Sequence, residues 1–293
     1  MSKERVLVII VTYNAKKWIE RCLGSLVNSS HPVDVFVVDN CSQDDTVEYI
    51  KAHHTEVQLV ESKINLGFGK ANNIGLQYAL DSKYDFIYLL NQDAWIDNNT
   101  IATLIEVSKK HPEMGVLSPL QMNDGLNNVD YNFIQCCPLN MYSDVLCGQL
   151  KDVYETSFFM AAHWFMPIST IQKVGGFSPS FPHYGEDHNY AERVQYQGMK
   201  LGIVPSLSVV HDRKFRKKSK EFYLWQAYIK GIEGISNINK PLWGQLIVQP
   251  FSVLRYSRKF GFWKGMLNAL RLLFHVPMLV RNRTLSKSFA FLN

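Results

Sequence analysis

Two short apolar runs, each ending in an acidic turn, constrain this fold more than any other feature of the chain. Val35-Phe36-Val37-Val38 leads into Asp39-Asn40-Cys41-Ser42-Gln43-Asp44, and Phe86-Ile87-Tyr88-Leu89-Leu90 leads into Asn91-Gln92-Asp93. Short runs of β-branched and aromatic residues bounded by turn formers have the pattern of strands buried on both faces of a parallel sheet. In open α/β sheets ligands bind at the carboxyl ends of the strands. Two acidic clusters there predict a site for a polar, metal-associated ligand.

The same reading extends along the first half. Strand signals over 6–11, 33–38, 57–61, 86–90 and 115–118 alternate with helical periodicity over 18–27, 46–51, 68–80 and 100–109. Repeated βα units predict an α/β domain with a mainly parallel, helix-covered sheet. Regularity weakens between 121 and 154, which reads as an irregular excursion. A helix from about 169, a Gly175-Gly176 stop, a helix over 186–197 and two short strands over 200–204 and 208–211 complete the pattern.

With 46% hydrophobic and 19% charged residues, the composition excludes a disordered chain. Five cysteines without metal-ligand spacing read as free thiols of a reducing compartment. The polar start, Met1 to Arg5, lacks the apolar core of a signal peptide, and no apolar run reaches the roughly 20 residues of a bilayer span. The expectation is a cytoplasmic protein, soluble or peripheral at the inner face of the cell membrane. Charge is divided unevenly: residues 1–212 carry 15 Lys+Arg against 24 Asp+Glu, and residues 213–293 carry 16 against 2. Such a basic tail points to an anionic surface, and nucleic acid is not among the expected partners.

Several residues at predicted strand ends carry chemistry. Thr12, Tyr13 and Asn14 supply a hydroxyl, an aromatic face and an amide suited to a flat base and a ribose. Asp39 either accepts a hydrogen bond from a pyrimidine N–H or makes local turn bonds. The stretch 65–73, with Asn65, Lys70 and Asn72, resembles a phosphate loop. It follows the third strand and lacks GxGxxG spacing, so a dinucleotide-binding fold is disfavoured. Lys70 either approaches a phosphate or is a solvated helix-start lysine. Asn91, Gln92 and Asp93 end an apolar strand, where a carboxylate can bind a hard cation bridging diphosphate oxygens. Glu186 and Asp187 read as a helix cap or as a base facing the cleft. His211, after Val209-Val210, reads as a metal ligand or a structural histidine.

In this order the motifs resemble the inverting glycosyltransferases of family 2, with the GT-A fold, and especially the rhamnosyltransferase-like branch of bacterial polysaccharide biosynthesis. The matching stretches are VTYN at 11–14, VDNCSQDDT at 38–46, NLGFGKANNIG at 65–75, LLNQDAWI at 89–96, GGF at 175–177, YGEDHNYAER at 184–193 and VVHD at 209–212. The resemblance implies that Thr12, Tyr13 and Asp39 hold the nucleoside of a nucleotide sugar. It places Asp93 at the last acid of the family's DxD motif, on a divalent cation (Mn or Mg) and the diphosphate, with His211 as a further metal ligand. Asp187 matches the general base, Glu186 precedes it, and Arg193 stands where the family keeps an arginine, as a partner for the acidic cluster.

The chain departs from that pattern in three places. Asn91 replaces the first acid of DxD, leaving one charge fewer. Asn189-Tyr190 makes the helix after the base less acidic. Ala161-Ala162-His163-Trp164-Phe165 replaces a small Ser-Gly, and His163 and Trp164 are expected on the acceptor side.

The predicted organisation is a catalytic domain over 1–212, with a Rossmann-like nucleotide-sugar half at about 1–120 and an acceptor half at about 121–212, followed by a basic, helical extension over 213–293. The run Arg213 to Lys220 reads as a lid over the diphosphate or as a solvated loop. Farther on, Lys264, Asn268, Arg271 and His275 form a polar stripe and Phe262, Met266, Leu270, Leu273 and Phe274 an apolar one. Such a helix fits attachment to anionic lipid, packing on the catalytic domain, or a homodimer. The predicted activity is inverting transfer of a sugar from a UDP-hexose, UDP-N-acetylhexosamine or dTDP-rhamnose type of donor to a glycan or lipid-linked acceptor. The alternatives are nucleotidyl transfer and a non-catalytic nucleotide-sugar-binding scaffold.

Overall fold

Each apolar run pairs as its composition demands. In the computed structural model, which describes residues 3–213 and 218–292, the strands β1 (Val6–Thr12), β2 (Asp34–Asp39), β3 (Gln58–Glu61) and β4 (Phe86–Asn91) are all parallel, in the order β3-β2-β1-β4. Helices α1 (Ile19–Val27), α2 (Thr46–His53) and α3 (Phe68–Asp81) make the crossovers that parallel pairing requires. Alternate residues of each strand enter different cores. Leu7, Ile9, Phe36, Val38 and Ile87 meet Ala71 and Leu76 of α3. Val6, Val8, Ile10, Val37 and Tyr88 meet Leu23 of α1 and Leu104 of α4 (Thr100–Lys110). Burial on both faces is why these runs show no polar alternation.

Beyond β4 the sheet is mixed. β5 is Ala94–Trp95, β6 is Met114–Met122 and β7 is Tyr154–Thr156. β8 (His163–Pro167) runs antiparallel between β4 and β6, and β9 (Lys200–His211) runs parallel to β6 and antiparallel to β5 and β7. The two short strands expected over 200–204 and 208–211 are this single β9. Its register with β6 jumps from Pro119↔Val204 to Leu120↔Ser208, so Pro205, which has no N–H to donate, is left in a bulge. The excursion after β6 contains a short 3₁₀ turn (Ile134–Cys136) and helix α5 (Leu139–Leu146). Helices α6 (Ile168–Val174) and α7 (Glu186–Tyr196) lie on the α3 side of the sheet, where Ile171, Tyr190 and Val194 join its core.

The basic extension forms three helices, α8 (Lys220–Ser236), α9 (Leu242–Ser257) and α10 (Phe262–Leu285). They share a core of Ile229, Ile232, Val253, Leu272 and Leu279, which also takes in Phe181 from the segment before α7. The chain then returns to the sheet-bearing part: the Gly176 N–H donates to the Ala290 carbonyl (2.8 Å) and the Asn73 amide to the Phe291 carbonyl (3.3 Å). The polar stripe expected on α10 runs beside α8, with Asn268 and His275 half-buried and Lys264 and Arg271 exposed. Asn268 donates to the Leu224 carbonyl, His275 meets the Tyr228 hydroxyl at 2.6 Å, and Arg271 leans over the Tyr228 ring. Phe262, Leu270, Leu273 and Phe274 are exposed. No helix among the described residues is long and apolar enough to cross a membrane. Lys214 to Lys217 of the basic run lie outside the described residues.

Candidate functional site

The carboxyl ends of β1, β2 and β4 stand side by side because Thr12 pairs with Asp39 and Val11 with Asn91. Asp39 is buried, and its carboxylate is held by donors from both strands' turns. Thr12 Oγ1 donates to Oδ1 (2.8 Å), the Ser42 hydroxyl donates to the same oxygen (2.5 Å), and the Ser42 N–H donates to Oδ2 (2.9 Å). Asn14, in the left-handed region (φ 51°), accepts from the Gln43 N–H, while its own N–H donates to Ser42 Oγ. Gln92 ties the β4 end to β1, accepting from the Tyr13 N–H (2.6 Å) and donating to the Tyr13 carbonyl. The Tyr13 ring is left nearly half exposed, at 46%.

Tyr13 forms one wall of a cleft of about 580 Å³ with Asn65, Leu66, Gly67 and Lys70. Pro179, Phe181, Pro182 and His183 line the other side. Asn65 Oδ1 accepts from the Gly67 N–H. Gly67 has φ 77°, and a Cβ there would stand 3.0 Å from the Pro182 carbonyl oxygen, so only glycine lets the two walls approach this closely. The Lys70 side chain is exposed on this wall.

Pairing of β5 with β9 places Ala94 opposite His211, and the Asp212 N–H donates to the Asp93 carbonyl (2.8 Å). Asp93 Oδ1 thereby faces His211 Nε2 at 3.6 Å. His211 is buried and its Nδ1 has no partner. Burial opposes ionisation of Asp93, but the facing imidazole and the Arg213 charge outweigh it and hold the carboxyl below the usual carboxylate range. Asp212 is anchored by Trp18 Nε1 (2.7 Å) and Lys17 (3.6 Å), which fixes where the basic run begins.

The acids at the start of α7 are far less satisfied. Gly185, at φ 87°, turns the chain into the helix, and a Cβ there would strike Ile229 and Glu233 of α8. Glu186 lies against α3, its Cβ 3.8 Å from where a Cβ on Gly69 would stand. Burial, then the Asp187 charge, pushes its carboxyl up to about 7, and Oε2 has no partner. Asp187 is half-buried, with Oδ1 accepting the His188 N–H. Glu233, which no motif identified, joins this cluster from α8. Burial, then the charges of Asp187 and Glu192, pushes its carboxyl up to about 8.

A family model described as glycosyl transferase family 2 matches residues 7–165, just over half of the chain, including the carboxyl ends of β1, β2 and β4. The chain belongs to that family. It is a glycosyltransferase with the GT-A fold. An N-acetylglucosaminyl-diphospho-decaprenol L-rhamnosyltransferase from Mycobacterium tuberculosis is 26% identical over 234 residues, covering 70% of this chain and 75% of the relative. Among solved structures, S. aureus TarS residues 1–349 in complex with UDP-GlcNAc gives a TM-score of 0.59 at 16% identity, covering 97% of this chain and 90% of that one. The mannosyltransferase PcManGT from Pyrobaculum calidifontis, in complex with GDP-Man and Mn2+, gives 0.56 at 18% identity, covering 97% and 85%.

Four expectations about the transferase's side chains need correction. His163 and Trp164 lie on β8 at the centre of the sheet, fully buried, and do not reach an acceptor surface. His163 Nε2 donates to the Val210 carbonyl (2.9 Å), Nδ1 lies 2.7 Å from the Tyr88 hydroxyl, and burial pushes the imidazole down to about 3. Trp164 donates to the Phe159 carbonyl. Asn72 is buried and returns its amide to the Phe68 carbonyl of its own helix (2.9 Å). Arg193 donates to the carbonyls of Val174 and Gly176 and lies over the Phe291 ring, so it fastens the tail and the α6 turn rather than pairing with Glu186 or Asp187. The apolar run around 158–166 was the available signal for β8.

Proposed function

We propose that this transferase moves a sugar from a UDP-hexose, UDP-N-acetylhexosamine or dTDP-rhamnose type of donor to a hydroxyl of a glycan or lipid-linked saccharide, with inversion at the anomeric carbon. The observation that carries the reading is Asp93 facing His211 at 3.6 Å on the strand-end rim that Tyr13 and Asp39 share. The exposed Tyr13 ring offers a face for the base, Asp39 an acceptor for a pyrimidine N–H, and Lys70 a positive charge for the diphosphate. Asp187 takes the proton of the acceptor hydroxyl. The oxygen–carbon bond forms opposite the leaving group, the bond from the anomeric carbon to the diphosphate oxygen breaks, and the nucleoside diphosphate departs with the electron pair.

Asp93 and His211 suit a divalent cation, manganese or magnesium. One carboxylate oxygen and one imidazole nitrogen face each other there, and manganese accepts imidazole more readily. Among the described residues no group of three or more His, Cys, Asp or Glu side chains gathers to hold an ion unaided, so the donor's phosphates would complete the ligand set. When bound, the ion supplies positive charge to the departing diphosphate. Support for a lipid-linked acceptor comes from the mycobacterial relative, an N-acetylglucosaminyl-diphospho-decaprenol L-rhamnosyltransferase. The test is a thermal-shift screen of uridine and deoxythymidine diphosphate sugars with and without manganese, followed by analysis of the product's anomeric configuration. Metal-dependent stabilisation and an inverted product are expected. A retained configuration, or no stabilisation by any nucleotide sugar, overturns the reading.

A further inference from the structure

Helices α9 and α10 carry an apolar face that neither the core nor the transfer chemistry uses. On α10, Trp263, Leu267, Leu270, Phe274 and Met278 recur at spacings of three or four residues, which places them on one side of the helix. All five are exposed, Phe274 by 82%. The opposite side holds Gly265, Ala269, Leu272 and Leu279, all buried. On α9, Trp243, Ile247 and Phe251 repeat at four-residue spacing and are likewise exposed, Trp243 by 79%, while Val253 and Ser257 turn inward. Each helix therefore has one apolar side for the core and a second left without a partner, a pattern that marks an interaction surface.

Charge selects the partner. The stretch from Leu242 to Leu285 contains no Asp or Glu. Its exposed cations, Arg255, Arg258, Lys259, Lys264, Arg271 and Arg281, are distributed about the apolar face. A second copy of this chain docking face to face would bring these like charges together, whereas an anionic lipid surface compensates them. The two tryptophans have the apolar body and polar tip suited to the headgroup level. With no helix among the described residues long and apolar enough to cross a membrane, an in-plane arrangement is the one that buries the face.

We propose that α9 and α10 dock in the plane of a bilayer rich in anionic phospholipid, with Trp243, Phe251, Trp263, Leu270 and Phe274 entering the acyl boundary and the cations at the phosphates. The polar side chains Asn268, Arg271 and His275 that meet α8 then fix the catalytic part above the lipid. α8 also supplies Ile229 and Glu233 behind Gly185, so docking sets the height of the α7 acids over the surface. This adds a surface to the lipid-linked acceptor reading of the transferase; the docking itself needs neither donor nor acceptor, so its failure leaves the transfer chemistry standing.

The experiment is flotation of the full chain, without nucleotide sugar, on vesicles of phosphatidylglycerol and phosphatidylcholine in equal parts and on vesicles of phosphatidylcholine alone. Binding to the anionic vesicles is expected to be at least about tenfold stronger, and to weaken as salt rises. Trp263→Ser/Leu270→Ser/Phe274→Ser should weaken it by about tenfold or more while an unchanged melting temperature shows that the fold is retained. Arg255→Gln/Arg258→Gln/Lys259→Gln should remove most of the preference for anionic lipid. Equal binding by the apolar variant overturns the proposal, as does absence of wild-type binding. So does a dimer in sedimentation that the apolar variant dissolves without any change in vesicle binding.

Discussion

Asp39 on β2 and Glu186 on α7 are both buried carboxyls, and their surroundings are opposite. Asp39 accepts three hydrogen bonds from Thr12 and Ser42, all supplied by neighbouring strand-end turns. Glu186 has an oxygen with no partner and a second carboxyl, Asp187, beside it. Around Asp39, Tyr13, Asn14 and Gln92 are likewise wired to backbone. Around Glu186 the neighbours are Asp187 and Glu233, with Glu192 farther along α7, and three of these four carboxyls are pushed up to about 7 or 8. A wired rim is preorganised to bind a ligand in one pose. A crowded acid cluster is poised to hold and release protons near neutral pH.

The contrast predicts that substitutions on the two sides fail differently. The largest effect is expected for Asp187→Asn, which should lower turnover on the order of a thousandfold while donor affinity, measured by calorimetry, stays within about twofold of wild type. Near-normal turnover would remove Asp187 from the role of base and leave the acid side without its defining member. Next, Asp93→Ala should weaken metal-supported donor binding by roughly ten- to a hundredfold, and Asn91→Asp should strengthen manganese affinity in the donor-free protein. If donor binding ignores both chelator and Asp93→Ala, charge stabilisation has to come from Lys70 and the basic run instead.

A third, smaller effect tests the wiring itself. Asp39→Ala strands the Thr12 and Ser42 hydroxyls and should lower stability by about 2 kcal/mol along with donor affinity; equilibrium denaturation and calorimetry read the two separately. A loss of turnover without either would erase the distinction between the two sides. The smallest effect concerns pH. Glu186, Glu192 and Glu233 have folded-state values raised above the unfolded one, so the folded state binds their protons more tightly. Stability from them is fully present below about pH 4.5 and is lost as pH rises through about 7 to 8. Glu233→Gln cannot ionise and should flatten part of that decline, raising the melting temperature by about 4 °C above about pH 8 relative to wild type. An unchanged pH profile would show that Glu233 does not share the field of Asp187.

Much of this was legible in the chain because local chemistry determines it. Runs with apolar residues on both faces of a strand, turn formers after them and helical periodicity between them specify β1 to β4 and their crossovers without reference to anything distant. Thr12, Asp39 and Asn14 were legible as strand-end residues although the bonds between their turns join residues 27 to 29 positions apart, and Asp93 was legible two residues past the end of β4. His163, Trp164, Asn72 and Arg193 were legible as residues but not as positions. Whether a histidine on a strand faces a ligand or the Val210 carbonyl depends on which strand is inserted beside it, and β8 arrives between β4 and β6 from far along the chain.

The sequence by itself determined the family, the parallel half of the sheet and the motifs at its strand ends, since each rests on short-range periodicity and on residues close in the chain. Only the tertiary structure decided that His211 meets Asp93 across the β5–β9 pairing, that Glu233 of the extension faces Asp187, that Arg193 clasps the tail, and which side of α10 is left uncovered. A 3.6-residue period gives the faces of a helix but not which face finds a neighbour. That choice is made by packing against segments brought together only in the folded chain.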